Sequence, residues 1–152
     1  MLQIKENQEV EIDSLISYRG KMRKNELESI TKDMEKEVQA VGGTQIGKPI
    51  TAIFGAEGDL VDVEILIQID QKNPNINKYQ YKEKLKIVNA IVASYKGNPS
   101  GVSKACMDLN QYILEKQLQP ITVGYNMTRY MDMTDIENAQ IDICVGINPN
   151  IL

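Results

Sequence analysis

No histidine occurs among the 152 residues, and this removes much of the catalytic repertoire. Ser-His-Asp and Cys-His nucleophilic systems need an imidazole base, and zinc sites that use histidine need an imidazole ligand. The two thiols, Cys106 and Cys144, form no Cys-x-x-Cys pair, and each falls in an apolar pattern, so both read as core thiols. The run Gly42-Gly43-Thr44-Gln45-Ile46-Gly47-Lys48 has the outline of a phosphate-binding G-x-x-x-x-G-K loop. Pro49, however, replaces the magnesium-binding hydroxyl. The run also follows a predicted helix and leads into a strand, the reverse of the order such a loop needs. Carboxylates and phenols remain. Glu64 and Asp142 fall at matching places in two similar strands, and two carboxylates in different environments can divide acid and base roles. Tyr125 and Tyr130 lie in the strand before Asp142, and Cys144 follows it by two residues. Asp142, Tyr125, Tyr130, Glu64 and Cys144 are the candidate ligand-contacting residues. No residue is assigned a catalytic role, and no metal or cofactor is expected.

The elements that must position these residues come in two similar sets. Ile16-Ser17-Tyr18-Arg19-Gly20 recurs as Ala93-Ser94-Tyr95-Lys96-Gly97, an offset of 77 (17 to 94). Ile46-Gly47 matches Val123-Gly124 and Ile50-Thr51 matches Met127-Thr128 at the same offset. After one extra residue, the strand 63–69 matches 141–147. Such collinear self-similarity indicates a tandem duplication, with pseudo-repeats 8–70 and 84–149 inside a single domain of residues 1–152.

Each copy reads as strand, helix, strand, strand. In the first, a strand over 8–18 precedes a helix over 25–41. There Leu27, Ile30, Met34, Val38 and Val41 form one stripe, with a capping box at Asn25 and Glu28 and a stop at Gly42-Gly43. A hairpin over 48–54 and 60–69 follows. In the second copy a strand over 84–95 leads through Asn98-Pro99 to a helix with the stripe Val102, Cys106, Leu109 and Ile113. A hairpin over 121–130 and 139–147 closes it. The intervening 70–80 stretch is polar and aperiodic. The expected class is α+β: tandem duplicated β-α-β-β modules forming an antiparallel sheet with two helices on one face.

Strand alternation sharpens the site. Ile141, Ile143, Val145 and Ile147 share one face, which the helix should cover. Asp142, Cys144 and Gly146 share the other, where two small residues leave room beside the carboxylate. Tyr125 and Tyr130 differ in parity, so a regular strand turns only one of them to that face unless a bulge intervenes.

Composition bounds the partners. The formal net charge is −4, which argues against non-specific nucleic-acid binding. No basic segment followed by an apolar run opens the chain, and no apolar stretch is long enough for a membrane span. With two unpaired thiols, a cytoplasmic location is expected. Arg19, Lys21, Arg23 and Lys24 make a basic cluster before the first helix. It reads as a solvated turn or as a docking point for an acidic protein or phosphate.

Several motifs carry a family resemblance: Val92-Ala93-Ser94-Tyr95-Lys96-Gly97 at a strand-to-helix junction, Tyr112–Leu118 at a helix end, Ile121-Thr122-Val123-Gly124-Tyr125 in the next strand and 141–147 in the closing strand. With two β-α-β-β modules, the chain resembles the gyrase-inhibitor-like effector-binding family, as a stand-alone member without a DNA-binding region. The resemblance implies a fold of two modules side by side, and a groove between them for small amphipathic or cationic compounds. It places Asp142 where the family often carries a glutamate, Gly146 where it often carries a proline, and Tyr125 and Tyr130 nearest the groove aromatics. The leading expectation is a stand-alone domain that binds a small amphipathic molecule. A module that binds a protein partner is the alternative, and a hydrolase relying on Glu64 or Asp142 is the third reading. Oligomeric state stays open.

Overall fold

A computed structural model describes residues 2–150. The chain is α+β, and its element order runs twice through strand, helix, strand, strand: β1 (Leu2–Arg23), α1 (Lys24–Ala40), β2 (Gln45–Glu57), β3 (Leu60–Ile69), then β4 (Gln80–Gly97), α2 (Val102–Glu115), β5 (Tyr125–Tyr130) and β6 (Ala139–Gly146). All the strand pairings described below are antiparallel. The chain divides into two compact units, residues 11–86 and residues 2–10 with 87–150. The boundaries fall inside β1 and β4, which are longer than the expected 8–18 and 84–95.

In the unit of residues 11–86, β3 lies between β1 and β2, with Ser17 opposite Leu66 and Thr51 opposite Ile65. The odd-numbered residues of β3 (Val61, Val63, Ile65, Ile67, Ile69) join Met34 and Val38 of α1 in one buried cluster. Burying Met34 and Val38 contributes roughly 1.5–3 kcal/mol each. α1 begins one residue earlier than its sequence signals suggest. Arg23 is the capping position, and its backbone N–H donates to Glu26 Oε1 at 3.4 Å. Asn25 and Glu28 therefore sit inside the helix, where they cannot form the expected box. The stop at Gly42 is as expected: φ is +74°, and the N–H groups of Gly42 and Gly43 return to Gln39 O and Val38 O.

The stretch after β3 is not simply a solvated linker. Ile76 and Tyr79 are buried in the same cluster. Tyr79 donates from its hydroxyl to Asp33 of α1, and Lys78 Nζ stands 2.7 Å from the same carboxylate. Two apolar side chains without periodicity give no strand or helix signal, yet they suffice to anchor the segment.

In the other unit β6 lies between β4 and β5. Ile143, Val145 and Ile147 pack with Ala105, Leu109 and Ile113 of α2, as the alternation predicts. Asn98 Oδ1 accepts from Ser100 N at 2.9 Å and starts a 3-10 turn, Pro99–Gly101, that feeds α2. The repeated Ser-Tyr-x-Gly motif has a packing role. The Tyr95 hydroxyl donates to Asn98 O at 2.6 Å, and the ring lies over Gly97 and Gly101. A methyl group on Gly97 would stand 2.7 Å from the Tyr95 oxygen. Tyr18 covers Gly20 in the same way, at 3.1 Å.

Candidate functional site

The strand register overturns one expectation about the carboxylates. Asp142 pairs with Ser94 on β4 and with Met127 on β5. In the first copy, the residue paired with the equivalent Ser17 is Leu66, and Leu66 also pairs with Ile50, the equivalent of Met127. The structural counterpart of Asp142 is thus Leu66, an offset of 76 (66 to 142), and that of Glu64 is Gln140, opposite Lys96 as Glu64 is opposite Arg19. Glu64 and Asp142 are not equivalent. Strand alternation has a period of two, so a slip of two residues leaves every side chain on its face and leaves no trace in the pattern.

The two carboxylates also differ in setting. The Glu64 side chain is 9% exposed and its Oε2 is held at 2.6 Å by Nζ of Lys82, which is 31% exposed. Asp142 Oδ2 accepts from Arg129 Nε at 2.9 Å in a more open pair, with the side chains 21% and 53% exposed respectively.

A bulge in β5 decides where the tyrosines go. Tyr125 pairs with Cys144, Met127 with Asp142 and Thr128 with Ile141, but Tyr130 then pairs with Gln140, which leaves Arg129 as the extra residue. Directly opposed residues point to the same side of an antiparallel pair. The bulge therefore puts both Tyr125 and Tyr130 on the face of Asp142 and Cys144. Arg129 escaped the sequence reading. Strict alternation from Tyr125 and Met127 places it on the Asp142 face and would turn Tyr130 toward the helix-covered apolar face; that misplaced tyrosine was the available sign of a bulge.

The room expected beside Asp142 is filled. Cys144 Sγ contacts Met127 Sδ at 3.9 Å, and both side chains are buried. Gly146 N–H donates to Thr122 Oγ1 at 2.8 Å, with the Thr122 methyl close against it. Burial, with the Asp142 charge adding to it, pushes the Cys144 thiol up to about 11, and burial raises Cys106 as well. Both are free thiols, and Cys144 is a core group beneath the site. Among the described residues no group of three or more acidic or cysteine side chains could hold a metal ion.

Three cavities lie away from these side chains. One of about 270 Å3 lies at Lys21, Glu57 and Asp62, one of about 310 Å3 at Glu6, Asn89 and Asn148, and one of about 230 Å3 beneath the start of α1. Asp142, Tyr125 and Tyr130 line none of the three.

The basic cluster is not a turn. Arg19, Lys21 and Arg23 alternate along β1. Arg19 meets Asp62 through two nitrogens, at 3.3 and 3.2 Å, and its guanidinium lies 3.6 Å from the centre of the Phe54 ring. Arg23 Nε is 3.6 Å from Asp59.

The chain has the fold of the C-terminal domain of EcmrR. The TM-score is 0.76 at 14% identity, and the match covers 97% of both chains. Against EcmrR in its DNA complex the TM-score is 0.77 at 15% identity, and the chain spans 57% of that protein. SAV2435 bound to tetraphenylphosphonium matches over 98% of this chain and 94% of its own, with a TM-score of 0.58 at 9% identity. No family model matches the sequence, and no curated protein matches it. No helix among the described residues is long and apolar enough to cross a membrane.

Proposed function

We propose that this chain binds a small amphipathic organic cation on the Tyr125–Tyr130 face, with Asp142 as counter-charge and Arg129 as the resident cation that the ligand displaces. The observation that carries this reading is the β5 bulge, which gathers two phenol rings and one carboxylate on one face. Aromatic faces attract cations, and an adjacent carboxylate adds charge complementarity. The Arg129–Asp142 pair is partly exposed and contributes only about 0–1 kcal/mol, so exchanging one cation for another costs little. Met127 floors the face with a flexible thioether that can turn away from Cys144 to admit an apolar group. The shared fold of SAV2435, which is bound to a lipophilic cation, supports the choice of ligand class.

Calorimetric titration with tetraphenylphosphonium tests this. Asp142→Asn should weaken binding about tenfold, the loss of one charge-assisted contact. Arg129→Gln should strengthen it, because the competing cation is gone. Absence of binding, or equal affinity in both variants, would overturn the reading.

A further inference from the structure

The unit of residues 11–86 holds an apolar cavity that the tyrosine face does not involve. Its volume is about 230 Å3, and its walls are Met22 of β1, Leu27 of α1, Thr51 and Ile53 of β2, and Val61 and Val63 of β3. The strand residues belong to the helix-covered side of the sheet: Met22 pairs with Val61 and Ile53 with Val63. α1 seals that side with Met34 and Val38, but at its start Leu27 is only partly buried and Ile53 is 53% exposed. The remaining lining residues are Arg23 and Lys24.

These two cations oppose the dipole of α1, so helix stability does not account for them. Arg23 has a loose contact with Asp59, 3.6 Å between two well-exposed groups. Lys24 has no ion-pair partner among the described residues. Two acids lie in the same turns and are already engaged: Glu26 accepts from the Arg23 N–H, and Glu28 pairs with Lys32 at 3.0 Å.

We infer that this cavity is a binding site for a small amphipathic carboxylate. The apolar part enters between Leu27 and the β2–β3 side chains, and the carboxylate meets Arg23 and Lys24. The volume limits the tail. It exceeds the ~150 Å3 of an engineered cavity that takes benzene, and falls below the ~300 Å3 where drug-sized pockets begin. A single ring or a short alkyl chain fits that range. The required charge is opposite to that of the ligand proposed for the tyrosine face, so headgroup charge separates the two sites.

Methyl NMR on the full chain, titrated with octanoate, octylammonium and octanol, provides the test. Octanoate should shift the methyls of Ile53, Val61 and Val63 saturably, and octylammonium should bind there at least about tenfold more weakly. The Arg23→Gln/Lys24→Gln double variant should lose about tenfold for octanoate and nothing for octanol. Both changes are at exposed positions, so the fold should survive them. Shifts confined to other methyls, affinity indifferent to headgroup charge, or an unaffected double variant would each overturn the assignment.

Discussion

Lys82→Met isolates the strongest electrostatic commitment in the unit of residues 11–86. Lys82 Nζ is 2.6 Å from Glu64 Oε2, and the Glu64 side chain is 9% exposed. Removing one member of a buried pair leaves an uncompensated charge at a cost of about 3–5 kcal/mol. Lys82 is 31% exposed, so water reaches part of the vacated space and the expected loss is nearer about 2–3 kcal/mol. For a chain of this length that lowers Tm by roughly 4–12 °C. Urea unfolding followed by circular dichroism gives the free energy directly, provided the slope with denaturant is unchanged. The double variant Glu64→Leu/Lys82→Met removes both charges and should return to within about 1 kcal/mol of the parent, because a well-packed apolar replacement of a buried pair is often neutral. A loss below about 0.5 kcal/mol in Lys82→Met, the size of an ordinary surface change, would refute the reasoning. So would a double variant as unstable as the single one. The double variant should also retain tetraphenylphosphonium binding, since Glu64 is engaged in an internal pair.

Three further outcomes follow from the same structure. Gly101 has helical backbone angles, where alanine is ordinarily favoured, but its Cβ would collide with the Tyr95 hydroxyl. Gly101→Ala should cost about 1–3 kcal/mol by urea unfolding, and little or nothing in a Tyr95→Ala background. The hydrogen bonds from Lys78 and Tyr79 hold the Asp33 carboxyl below its ordinary value. Its stabilising contribution is therefore complete above that ordinary value, near pH 4, and lost as pH falls through the lower folded value. Acid titration should show an extra loss of stability below about pH 4 that Asp33→Asn lacks. Cys144, pushed up to about 11 and buried, should be alkylated by iodoacetamide more slowly than the half-buried Cys106 at pH 8, as read by peptide mass spectrometry.

Much of the architecture was legible because its signals are local. The stripe ending at Val38 and Val41, the Gly42 stop, the Asn98-Pro99 entry to α2 and the Ile141–Ile147 alternation each rest on the chain's own periodicity. The helix-covered sides of β3 and β6 followed from them. The site was legible only in outline. Asp142, Tyr125 and Tyr130 do share a face, but strict alternation would have separated the tyrosines. The hydrogen bond by which Arg129 holds the Asp142 charge became visible only in the folded chain.

Backbone periodicity and turn chemistry act over a few residues, so the element types, their doubled order and the side of each strand that meets a helix are written in the chain itself. The register is not; it arises when the strands pair. Sliding β6 by two residues against β4 and β5 conserves every inward and outward position, so the amino-acid pattern is blind to it. Hydrogen bonding to two neighbouring strands is not. That register matches Asp142 with Leu66 and Glu64 with Gln140, and gives the chain one partly exposed carboxylate beside its tyrosines and a second, buried one held by Lys82.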